Sequence, residues 1–205
     1  MRARRADTRI VLQMRGSFKP SPRPLLHDPR MRTILAIALL SVGPVLVHGD
    51  QDGVTSSAGG GHYTVSSASG DLAEMQFGYS AIVHRNGRAT GQFHHVGSFQ
   101  GFTIEFHADV TCLAVDPALG RAWIGGVITV NRSTHPTYRD AAITQPGHDI
   151  WFRVLDAGNG GSGDPDRTTF VGFEGMIPSS EAYCRDRPWR SDNIWAITGN
   201  VSIHP

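Results

Sequence analysis

LAEMQFGYSAIVHRNGRATGQFHHVGSFQGFTIEFHADV, residues 72–110, decides the fold class. In its first third Ala73, Met75, Phe77, Tyr79, Ala81 and Val83 fall on one side and Glu74, Gln76, Gly78 and Ser80 on the other. That period of two is the signature of a half-buried strand. His84-Arg85-Asn86-Gly87-Arg88 then turns the chain, and parity selects the turn. A two-residue Asn86-Gly87 loop would set Val83 opposite Thr90 and send Phe93 to the polar side. A three-residue loop over 85–87 with Gly87 left-handed instead pairs Val83 with Ala89, Ala81 with Gly91, Tyr79 with Phe93 and Phe77 with His95. This register keeps one apolar face intact and is the one expected.

Residues 101–115 alternate again, with Phe102, Ile104, Phe106, Ala108, Val110 and Cys112 on one face and Thr103, Glu105, His107 and Asp109 on the other. A four-residue loop over 97–100 would pair His95 with Phe102, Phe93 with Ile104 and Gly91 with Phe106 inside, and Gln92 with Glu105 and Arg88 with Asp109 outside. A turn at 116–120 leads into Arg121–Asn131, where Gly125-Gly126 marks a bulge or a close backbone approach. An irregular excursion over 132–147 follows, then strands at 148–155, 168–174 and 194–203, with 63–67 as the first strand. About eight strands and no convincing amphipathic helix predict an all-β antiparallel meander. A closed, calycin- or lipocalin-like barrel is preferred to a sandwich.

The first 49 of the 205 residues read differently. ILAIALLSVGPVLV, residues 34–47, has the length of a signal-peptide core, is shorter than a membrane span and is interrupted by Pro44. Arginines precede it and a small-residue pattern permits cleavage near Gly49, so 31–49 is expected to be an export signal. The basic stretch 1–30 is expected to be a disordered extension or an over-extended translation start. Residues 50–61 are then a flexible lead-in and 62–205 a single β domain. From residue 50 onward there are 10 arginines, no lysine and 16 acidic residues, a net charge of −6 with neutral histidines. Such a domain lacks the positive field that nucleic acid or anionic lipid demands. A secreted, periplasmic or cell-envelope location with no stable membrane insertion after signal cleavage follows. Oligomeric state is not legible in the pattern.

In an exported chain the two cysteines, Cys112 and Cys184, are expected to pair. Closing about 70 residues is worth on the order of 4 kcal/mol in the chain-entropy treatment.

The run VTCLAVDPALGRAWIGGVITV, then FRVLDAGNGGSGDPDR, a later lone Cys184 and the closing ITGNVSIH resemble a family of exported bacterial β-domain proteins. In that family an IGG strand precedes a D-x-G-x-G loop and the chain ends on a GN strand. The likeness spans roughly residues 62–204. It implies one exported β domain with a paired cysteine, and it transfers no activity and no functional residue.

Candidate chemistry falls in three places. DAGNGGSGDPDR, residues 156–167, fails the EF-hand spacing and the tandem glycine-rich calcium repeat, yet Asp156, Asn159, Asp164 and Asp166 with backbone carbonyls are an irregular oxygen set for calcium. The competing reading is an ordinary glycine-rich connection between strands. His95, predicted inward among Phe77, Tyr79, Phe93 and Phe102, makes those residues the candidate lining of an interior small-molecule site. His94 with Glu105-x-His107-x-Asp109 lines an outward face conceivable for zinc or copper, although alternating polar residues are also what any solvated strand shows. No G-x-S-x-G, HExxH or phosphate-binding glycine loop occurs, so no catalytic residue or cofactor is assigned. The expected function is therefore a non-enzymatic exported barrel that binds a small molecule. The alternatives are a cell-envelope interaction or structural domain, with calcium at 156–166, and a barrel-cavity isomerase or cyclase.

Overall fold

The computed structural model describes residues 54–66, 70–158, 163–175 and 177–205. The expected extension, the export signal, residues 50–53 of the lead-in, and Asn159 lie outside the described residues. Among the described residues ten strands form one antiparallel sheet: β1 (Thr55–Ser66), β2 (Leu72–Val83), β3 (Ala89–Phe99), β4 (Phe102–Asp116), β5 (Arg121–Asn131), β6 (Asp149–Leu155), β7 (Arg167–Thr168), β8 (Gly172–Phe173), β9 (Trp195–Ala196) and β10 (Thr198–His204). Their spatial order is β10-β1-β2-β3-β4-β5-β6-β7-β9, with β8 also on β6. Ile197 alone separates β9 from β10 in the chain, so the two ends of this order meet and the sheet curls into a nearly closed barrel. The predicted all-β meander is the observed fold.

The first hairpin has the expected register, Val83 opposite Ala89, Tyr79 opposite Phe93 and Phe77 opposite His95. Gly87 sits at φ 78° as the left-handed residue, and its N–H donates to the His84 carbonyl at 2.8 Å. The second hairpin differs from expectation. Its loop is Gln100-Gly101, both at positive φ (51° and 81°), the requirement of a type I′ turn. Pairing consequently continues to Phe99 opposite Phe102, and His95 faces Phe106 rather than Phe102. The slip is an even number of residues, so Ile104, Phe106, Ala108 and Val110 stay inward while their partners change.

Cys112 does not share the Phe106 face. Thr111 is an extra residue between the pairs Val110–Gly126 and Cys112–Gly125, a bulge that reverses the alternation. Beyond it Leu113 and Val115 point to the barrel core, while Cys112 and Ala114 join a second apolar cluster with Trp123, Trp151 and Tyr183 on the outside. Gly125-Gly126 is the close approach that the sequence suggests, with the bulge on the facing strand.

That outer cluster is covered by α2 (Ser180–Asp186), a helix the sequence pattern did not predict because seven residues are too few to establish a helical period. Its legible signal is the cap: Ser179 Oγ accepts the Ala182 N–H at 3.2 Å. Tyr183 stacks on Trp151 with ring centroids 5.5 Å apart, and the expected Cys112–Cys184 disulfide joins helix to sheet with Cα atoms 6.2 Å apart.

The lead-in expectation for 50–61 fails from Thr55 onward, where β1 begins. Gly59, Gly60 and Gly61 lie between β10 and β2, and a Cβ on Gly60 would come within 2.9 Å of the Phe77 carbonyl oxygen. Three backbones pack closely because these residues have no side chains. The same absence erases the alternation that would have announced a strand. The expected strand over 168–174 resolves into the two short pieces β7 and β8.

Candidate functional site

The interior gathers four of the five residues expected to line a ligand. Phe77, Tyr79, Phe93 and His95 converge on Phe152, whose ring lies 6.2, 5.2, 5.0 and 5.0 Å from theirs respectively. Phe102 is not among them. Carried past the barrel wall by the corrected register, it is 39% exposed and packs edge-on against His135 at 5.4 Å. At one end of the barrel Tyr138, on the short helix α1 (Pro136–Asp140), contacts Phe106, Phe170 and Phe173.

His95 is wholly buried. Its Nδ1 lies 3.4 Å from the Tyr63 hydroxyl, and its Nε2 has no hydrogen-bond partner. Burial pushes its pKa down to about 3, with His94 contributing, so the imidazole is neutral. Burial raises the Tyr63 and Tyr79 phenols above their usual value. The Tyr79 hydroxyl is paired with Ser57 Oγ at 2.8 Å. These groups form a satisfied or neutral aromatic core around one bare imidazole nitrogen.

The calcium candidates are separated in role. Asp166 is buried and bridges its loop to β10: one carboxylate oxygen accepts the Val201 N–H at 2.7 Å and the other accepts the Ala157 N–H at 2.9 Å. Asp156 Oδ1 accepts the Gly158 N–H at 2.9 Å, and Asp164 is exposed. Among the described residues no three His, Cys, Asp or Glu side chains form a metal-binding group.

A further set of polar side chains lies outside the barrel. A groove of about 480 Å³ crosses the outer face of β2, β3, β4 and β5, with Gly78 in its floor and Ser80, Gln92, His94, His107, Asp109 and Thr129 around it. His94 and His107 are direct cross-strand partners, with near-parallel rings 6.0 Å apart. The His94 imidazole leans over Gly78, where an added Cβ would fall 2.7 Å from its Cε1. Desolvation, then His107, lowers the His94 pKa. Glu105 Oε1 lies 3.2 Å from His107 Nε2 and accepts from Arg132 Nη1 at 3.3 Å. Gln92 Nε2 donates to Asp109 Oδ1 at 3.4 Å. The sequence placed Glu105, His107 and Asp109 on one face. It missed the opposition of His94 and His107, which depends on the true register.

Comparison of the chain with protein-family models, with curated proteins and with solved structures finds no match.

Proposed function

We propose that this chain is an exported, non-enzymatic binding domain whose scaffold is the aromatic-filled barrel and whose recognition surface is the outer groove of β2–β5. The observation carrying this reading is the division of chemistry: rings occupy one another inside, while amide, carboxylate, imidazole and hydroxyl groups converge outside. A concave site where a few polar groups converge beside apolar ones, here Tyr79, Phe93, Ala108 and Val130, is where a domain of this kind holds a ligand. Export is supported by the signal-like 34–47 run, the Cys112–Cys184 bridge and the resemblance to exported bacterial β domains. The absence of lysine and the acidic balance after residue 50 speak against nucleic acid and lipid surfaces as partners. No described helix is long and apolar enough to cross a membrane. The strands turn their polar residues outward, the reverse of a lipid-facing barrel.

A second reading places the ligand inside, at the bare His95 Nε2. Mass spectrometry of material purified from the native envelope, followed by amide shift mapping of any co-purified molecule, separates the two. Shifts confined to Gln92, His94, His107 and Asp109 support the groove; shifts at Phe77, His95 and Phe152 transfer the site to the interior. Metal analysis of the same material tests calcium at 156–166.

A further inference from the structure

Two imidazoles directly opposed on neighbouring antiparallel strands form a potential chelate. On the β2–β5 face, Gly78, His94, His107 and Val130 make one transverse row, each paired to the next across its ladder. Bulk is missing on the far side of His94, because Gly78 has no side chain and the ring uses that space. On the other ring, the Glu105 carboxylate sits at His107 Nε2 and is itself held by Arg132. A carboxylate accepting the Nε2 proton is the arrangement that orients metal-binding histidines, and it leaves Nδ1 with the free lone pair. Two Zn–N bonds of ordinary length at a tetrahedral angle need nitrogens about 3.4 Å apart. Rings 6.0 Å apart reach that spacing by rotating about their side-chain torsions, and His107, although held at Nε2 by Glu105, is 43% exposed and has solvent on one side to turn into.

From this row we infer that His94 and His107 bind one exchangeable transition-metal ion, zinc or copper(II), in the groove. The inference rests on the groove being the recognition surface. With two protein nitrogens, water fills the remaining positions, and a ligand bearing a carboxylate or hydroxyl oxygen displaces it, as at other open metal sites. Imidazole donors favour copper and zinc over calcium and magnesium, so selectivity follows from the ligand set.

The test is titration of the intact protein with Zn2+ and, separately, Cu2+, using Mg2+ as control, read by calorimetry and by long-range 15N shifts of the histidine rings. One ion should bind per chain, with His94 and His107 shifting, and H94Q or H107Q should weaken binding about tenfold or more. Far-ultraviolet circular dichroism confirms that each variant is folded. If wild type and the H94Q/H107Q double variant bind alike, or if the shifts fall on His62, His84 or His204, the inference is overturned. In that event a co-purified ligand that still perturbs Gln92 and Asp109 leaves the groove reading standing; one that perturbs neither removes both.

Discussion

The carboxylate of Asp166 accepts the Val201 N–H at 2.7 Å, fastening the chain just before β7 to the strand at the opposite end of the sheet order. The Asp166 carbonyl also accepts from Ile197 at 2.9 Å, where β9 passes into β10. A side chain in the glycine-rich loop thus seals the barrel. D166A leaves the Val201 and Ala157 N–H groups without acceptors, at ~1.5 kcal/mol or more for each charge-assisted bond. A loss of about 3 kcal/mol is expected in urea unfolding, the same with and without calcium. A loss seen only with calcium present would return Asp166 to a cation site.

His95 supplies a pH dependence. Its folded pKa is about 3 against an ordinary 6.5, so between those values the unfolded chain binds the proton that the folded chain refuses. Stability from this residue is complete above pH 6.5 and declines as pH falls, by about 1.4 kcal/mol per unit. Tyr63, its nearest polar neighbour, does not titrate there because burial raises its pKa. His94, on the opposite face, adds a contribution of the same sign. The difference between wild type and H95F in denaturant midpoints from pH 7 to 5, above the carboxylate range, isolates the His95 component. Parallel curves would show that His95 is solvated.

Removing the bridge as C112A/C184A frees a 72-residue separation in the unfolded chain. The entropic treatment predicts about 4 kcal/mol of lost stability. Because the disulfide holds α2 on an outer cluster separate from the barrel core, hydrogen exchange should quicken first in α2 and the segment after it. Uniform acceleration throughout the barrel would show the two clusters to be one cooperative unit.

Gly125 is the contact point for that helix. An added Cβ would lie 2.7 Å from Cys112 Sγ and 2.8 Å from Ser180 Cβ, both fixed by the disulfide and the helix start. G125A should therefore cost about 1–3 kcal/mol as an overpacking change. It should also quench the packing of Tyr183 on Trp151, visible in near-ultraviolet circular dichroism. An unchanged midpoint would mean that α2 shifts freely.

Much of this barrel was readable along the chain. Alternation is a local property: each residue's side is set by its neighbours, so the inward rank Phe77, Tyr79, Phe93, His95 and the Gly87 turn needed nothing beyond residues 72–95. The polar rank Glu105, His107, Asp109 was equally plain. Register was not, because slips by an even number leave alternation untouched, and a type I′ turn at Gln100-Gly101 chose among them. With it came the His94–His107 opposition and the departure of Phe102 from the interior. The Thr111 bulge, the glycine strand at 59–61 and the inward turn of Asp166 share one cause. Each answers to a backbone brought close by folding from far along the chain, and side-chain periodicity carries no trace of such a partner.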